Sequence, residues 1–150
     1  MTSRTARTAP PGTGLTARQR ERLIGAAREA REQAYAPYSR FLVGAAVLAG
    51  GRIYRGANVE NASYGLTICA ERAAVFAAAS AGQRRIDAVA VYTDTPSPTP
   101  PCGACRQVLH ELGPHAIVLA ATSGGAVSVR DLSDLLPDSF GPQQLPDRVQ

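Results

Sequence analysis

Apolar positions along the chain fall into alternating helical and strand-like blocks. Thr16 followed three residues later by Gln19 forms a capping box, which predicts a helix over residues 16–34 that Pro37 bars from continuing. Leu23, Ala27, Ala30 and Ala34 recur at helical spacing with Ile24 beside them, a narrow stripe of small residues suited to lie close on a sheet. Residues 41–49 and 52–59 read as two strands around Gly50-Gly51, a hairpin signal. After a loop over 61–66, a second helix is predicted over 69–81, closed by Gly82. Between Ala73 and Ala79 that helix is apolar on every side, and a helix with no polar face is buried. Residues 86–92, apolar apart from Asp87, are a candidate for a buried parallel strand. The stretch TDTPSPTPP, with prolines at 96, 98, 100 and 101, predicts a stiff extended connector that delivers Cys102. A third helix over 101–112, short strands over 116–121 and 126–129 around Ser123-Gly124-Gly125, and a brief helical piece over 132–136 complete the pattern. Strands alternating with helices predict an α/β fold, a mixed sheet with helices on both faces.

Composition narrows the picture without changing it. A chain of 150 residues is one domain, able to bury roughly 70% of its unfolded surface. Residues 1–15 are polar with Pro and Gly and read as a disordered leader, with a single domain over 16–150. The net charge of +4 is concentrated at the front: residues 1–40 carry +5 and the rest −1. Every basic residue is Arg, read as a compositional bias rather than a phosphate-binding surface, so nucleic acid is not the expected partner. An odd cysteine count, no secretory signal and no membrane-length apolar run point to a cytoplasmic protein with reduced thiols.

The chemistry is concentrated in TICAER (67–72) and PCGACR (101–106), which hold all three cysteines. Cys102 and Cys105 have the spacing that closes two thiolates on one metal ion, and Cys69 supplies a third from far away in sequence. A zinc ion with three protein ligands keeps one position for water, whose proton is then lost near neutral pH. Glu71, two residues from the first ligand, is the candidate proton carrier. Three thiolates on one dication leave a net negative charge, which Arg72 is placed to offset with its fork of donors. Helix starts at both cysteine stretches would favour the thiolate form as well. His110 lies five residues past Cys105, about 140° round a helix, and His115 falls in a loop; neither is expected to ligate. A histidine in the fourth position would close the site and make the protein a zinc-stapled binding module.

C-A-E followed by P-C-x-x-C resembles the signature of the zinc nucleoside and nucleobase deaminases. AYAPYSRF (34–41), GANVENASYGLTICAER (56–72), PCGACRQVL (101–109) and LLPDSFGP (135–142) are similar, in order and separation, to the short single-domain cytidine deaminases. The resemblance covers residues from about 16 to 145. It implies a three-layer α/β/α fold with a mixed five-stranded sheet, a homotetramer with sites shared between subunits, and one zinc per subunit. The implied reaction is hydrolytic deamination of cytidine and 2′-deoxycytidine in pyrimidine salvage. Asn58 and Glu60, two apart on one strand and so on one side, would hold the ribose; on their own they read first as a polar strand end facing water, and only the resemblance reverses that order. By resemblance, Phe41 packs near the nucleoside, the backbone of Ala70 meets the ring edge, and Tyr64 and Phe140 reach or support a site across an interface. Rival substrates are a modified cytosine nucleoside and exposed cytosine in RNA. Leu42 stands where many members have proline and Ala57 where many have cysteine; neither touches the metal set or Glu71.

Overall fold

The structure, a computed structural model, describes residues 14–145. Most of the leader expected over 1–15 lies outside the described residues, although Leu15 is partly buried against the core. Helix α1 (Ala17–Arg31) opens with both bonds of the capping box: Gln19 N–H donates to Thr16 Oγ1 at 3.1 Å, and Thr16 N–H donates to Gln19 Oε1 at 2.9 Å. It ends three residues earlier than its periodicity predicts, and Pro37 is not the cause. From Tyr35 the backbone is claimed by the strand region, Tyr35 N–H donating to Asn58 O and Glu60 N–H donating to Tyr35 O.

Strands β1 (Val43–Ala49) and β2 (Arg52–Ala57) form the hairpin around Gly50-Gly51. Helix α2 (Ala70–Ser80), β3 (Ala88–Thr93), α3 (Gly103–Leu112), β4 (Ile117–Thr122), β5 (Val127–Asp131) and α4 (Leu132–Leu135) follow. The five strands form one sheet in the order β2-β1-β3-β4-β5. Only β3 and β4 pair in parallel, so the sheet is mixed, with the apolar 86–92 run at its centre.

Alternation along the central strands sorts the core into two halves. Ala46, Ala88, Ala90 and Leu119 face Leu23, Ala26 and Ala27 of α1. On the opposite face, Val47, Val89, Val91 and Val118 meet Ala74, Val75 and Ala78 of α2, Leu109 of α3 and Leu132 of α4. Helices therefore cover both faces, giving the three-layer α/β/α arrangement.

Small residues allow these layers to approach closely, and at Gly56 the approach sets the site. A Cβ there would sit 2.3 Å from Ala74 N and 2.4 Å from Ala70 O, both backbone atoms that move only if α2 moves. Gly56→Ala is expected to lower stability by about 1–3 kcal/mol. Zinc content should fall with it, because Ala70 adjoins Cys69. Gly25→Ala, on α1 with nothing within 4 Å of its Cβ, is the control expected to leave both unharmed. Thermal unfolding and metal analysis of the two variants check this.

The connector between β3 and α3 departs from the extended form expected of it. Residues 94–97 bend, and threonine hydroxyls bridge the bend.

Candidate metal centre and its cavity

Cys69 is the N-cap of α2 and Cys102 the N-cap of α3, both in extended backbone, and Cys105 sits buried in the first turn of α3. Two helix starts from different parts of the chain thereby bring three sulfurs within 4.8 Å of one another. Cys69 Sγ and Cys102 Sγ are 3.9 Å apart. Tetrahedral Zn–S bonds of roughly 2.3 Å place sulfurs about 3.8 Å apart, so the cluster is already spaced for zinc. All three are free thiols, far beyond bonding distance for a disulfide.

The sulfurs are electrostatically unequal. A hydrogen bond shared with the Cys105 thiol and another from Arg72 hold Cys69 well below the ordinary thiol range against the cost of burial. The same sharing with Cys69, together with burial and the nearby Glu71, pushes Cys105 up. Arg72 Nη2 donates to Cys69 Sγ at 3.4 Å, the contact its spacing predicts. Its Nε is buried with no hydrogen-bond partner among the described residues, so the guanidinium commits its charge to the sulfurs without filling all its donors. Arg72→Ala is expected to weaken zinc retention about 10- to 100-fold, the usual cost of losing a group that orients a metal ligand. Arg72→Lys should recover only part, since an ammonium keeps the charge and loses the fork. Competition with a chromophoric chelator measures both.

Glu71, on the first turn of α2, is 5% exposed. Burial lifts its carboxyl to about 7, with the Cys69 thiolate adding to the rise. A carboxyl poised there both accepts and returns a proton at neutral pH.

Glu71 lines a cavity of about 280 Å³ together with Cys69, Ala70 and Cys102. Phe41, Asn58, Glu60 and Ser39 line it too, as do Thr99 and Pro100. Asn58 is buried and its amide is partly committed: Oδ1 accepts from Val43 N–H at 2.9 Å and Nδ2 donates to Phe41 O at 2.7 Å. These bonds hold Phe41 at the cavity wall and explain why β1 begins at Val43 instead of residue 41. The Glu60 carboxylate accepts from Tyr38 N–H at 2.8 Å, from Ser39 N–H at 3.2 Å and from the Ser39 hydroxyl. These donors hold it below the usual carboxylate range, the Ser39 hydroxyl contributing most. A carboxylate has about four acceptor positions, so roughly one remains for a ligand.

Tyr64 lies outside this cavity, 73% exposed and edge-on to Tyr38 with ring centroids 5.6 Å apart. Phe140 is 59% exposed on a C-terminal segment tied to α3, where Gln107 Nε2 donates to Phe140 O at 3.0 Å. His110 contacts Ser139 on that segment, its Nε2 3.1 Å from the hydroxyl, and takes no part in the sulfur cluster.

Sequence reasoning missed Ser39 and Thr99 on the cavity and the work of Arg106. The Arg106 side chain donates from Nε to Pro101 O and from Nη1 to Leu135 O, each at 2.7 Å, locking the start of α3 to α4. An arginine closing the second cysteine stretch, as Arg72 closes the first, was the available signal.

Three convergent thiols beside a buried carboxyl, on one wall of an α/β/α domain, define a metal-dependent enzyme equipped for hydrolysis. Residues 17–121 match the family model described as "Cytidine and deoxycytidylate deaminase zinc-binding region". The chain is 52% identical over 130 residues to a cytidine deaminase of Halalkalibacterium halodurans, covering 85% of this chain and 98% of that one. It is 50% identical over 125 residues to a cytidine deaminase of Mycobacterium tuberculosis, covering 83% and 91% respectively. The crystal structure of cytidine deaminase from Burkholderia pseudomallei superposes with a TM-score of 0.79 at 52% identity, over 84% of this chain and all of that one. The chain belongs to the cytidine deaminase family, and zinc is its metal.

Proposed function

We propose that this protein hydrolyses cytidine and 2′-deoxycytidine to uridine and 2′-deoxyuridine with release of ammonia, a step of pyrimidine salvage. The observation that carries the reading is the buried Glu71 carboxyl, which lines one cavity together with Cys69, Cys102, Asn58 and Glu60. Zinc held by Cys69, Cys102 and Cys105, one ion per subunit, supplies a Lewis acid and an activated water when bound. Glu71 takes the water's first proton on a carboxylate oxygen and passes it to the ring nitrogen; it then takes the second proton, from the hydroxyl now on the ring carbon, and gives it to the departing amine as the carbon–nitrogen bond breaks. Its pKa near neutrality suits it both to accept and to return these protons. Arg72 balances the thiolate charge. The remaining acceptor position of Glu60 and the free capacity of the Asn58 amide bind sugar hydroxyls. Phe41 packs on the nucleoside and the Ala70 backbone meets the ring edge.

The functional unit in this reading is a cytoplasmic homotetramer of single domains spanning 16–150, each with a leader over 1–15. The outward face of α2 supports it: Phe76 and Ala77 are exposed on a helix that has no polar face to give to water. Tyr64 and Phe140 then serve neighbouring subunits' sites. No helix among the described residues is long and apolar enough to cross a membrane.

Purified protein should release ammonia from cytidine and deoxycytidine in proportion to its zinc content, and far more slowly from cytosine, dCMP or an RNA oligomer. No cationic side chain of this chain's described residues lines the cavity to meet a phosphate. Preference for RNA or for a modified nucleoside, or a zinc-loaded protein inert towards every cytosine compound, would overturn the proposal.

A further inference from the structure

Between Thr93, at the end of the central strand, and Cys102, at the start of α3, the chain has little means of organising itself. Four of the eight intervening residues are prolines and bring no N–H. Among the described residues, none from Asp94 to Pro101 donates or accepts a backbone-to-backbone hydrogen bond. Side chains hold its two ends, Ser123 Oγ donating to the Asp94 carboxylate and Arg106 Nε to Pro101 O, and between them three hydroxyls take over the task. Thr93 Oγ1 lies 2.7 Å from Thr95 Oγ1, Thr93 Oγ1 donates to Thr99 Oγ1 at 3.2 Å, and Thr95 Oγ1 and Thr99 Oγ1 are also 3.2 Å apart. Thr95 Oγ1 reaches Ser97 O at 2.7 Å as well. Thr93 is fully buried, so the triangle is anchored in the sheet, and Thr99 and Pro100 at its far side line the cavity beside Cys102.

We infer that the Thr93–Thr95–Thr99 hydroxyl triangle is a positioning device that fixes Pro100 against the substrate cavity and holds the Cys102 sulfur on the metal. Its logic is mechanical. Cys105 lies within α3, whereas Cys102 is its N-cap, steadied on the helix side by the Arg106 bond to Pro101 O and joined on the other side to the loop, whose remaining freedom it shares. Without the triangle, the Cys102 thiolate spends more time off the metal, and the ion leaves sooner. The inference rests on Cys102 being a zinc ligand; it does not depend on which compound is turned over.

The test is zinc release to a chromophoric chelator from the full-length zinc-loaded protein, with substrate titrations alongside. Thr93→Val and Thr99→Val remove the hydroxyl at nearly constant shape. A net hydrogen bond of ordinary strength corresponds to roughly 3- to 10-fold faster zinc release. KM for cytidine should rise by a similar factor through the Pro100 wall, with kcat changing less. Thr93→Ser should restore the wild-type release rate. Thr122→Val is the control: its hydroxyl is also buried, on the neighbouring strand end opposite Thr93, but accepts from Ala126 N–H and makes no bond to the triangle. Release from this variant should match wild type. Should Thr93→Val not fold, half-buried Thr99 carries the test with its own Ser rescue. Release unchanged in the Thr93 and Thr99 variants, or accelerated equally in Thr122→Val, overturns the positioning role. Failure of the proposed substrate would leave the zinc-release result standing, so the two readings fail separately.

Discussion

Glu71→Ala is expected to yield a folded, zinc-loaded protein whose turnover of cytidine falls by roughly 100- to 10,000-fold, the usual contribution of a positioned acid–base group. Among the described residues no salt bridge reaches this side chain: Arg72 beside it donates to Cys69, and its charge only partly offsets the burial that raises the carboxyl to about 7. Stability therefore gains little from the carboxylate, and removing it should leave the melting temperature close to wild type. The fall should appear in kcat, with KM nearly unchanged, because in the proposed mechanism Glu71 acts on protons in transit and the nucleoside is held by Phe41, Asn58 and Glu60. Steady-state kinetics with metal analysis on the same preparation check both halves. A variant that retains its turnover dismisses Glu71 as the proton carrier, and one that loses its zinc shows a role in holding the metal instead.

How much of this was readable in the chain depends on how local the physics is. The cysteine pair, the glutamate two residues past Cys69 and the arginine after it act over one helical turn, and their spacing carried their placement: Arg72 reaches Cys69 as expected. Strand alternation and the capping box are equally local, so the five strands and the start of α1 were legible. What was lost depends on partners distant in sequence. The end of α1 is set by residues 58–60, more than twenty positions away, which claim the backbone of Tyr35. Asn58, read alone, is a polar strand end facing water and a sugar ligand only by resemblance, whereas its buried amide is largely spent holding Phe41 and Val43. Prolines in the 93–101 stretch argued for stiffness and concealed that the threonines between them bend the loop back on itself.

Removing the zinc with a chelator should abolish turnover and leave the fold standing. The two faces of the sheet are packed without help from the sulfurs: Leu109 and Leu132 fix α3 and α4 in the core, Arg106 ties Pro101 to Leu135, and Gly56 seats α2. Zinc nevertheless binds the folded chain preferentially, and free metal at about a hundred times its dissociation constant adds about 2.7 kcal/mol. For a chain of this size each kcal/mol is worth roughly 2–4 °C, so the melting temperature should fall by roughly 5–11 °C while the far-UV circular dichroism at 25 °C is preserved. Re-adding zinc should restore both activity and melting temperature, with release of protons as the thiols ionise again. Collapse of the circular dichroism on chelation would instead make the metal a staple, and a staple has no use for a carboxyl buried beside it.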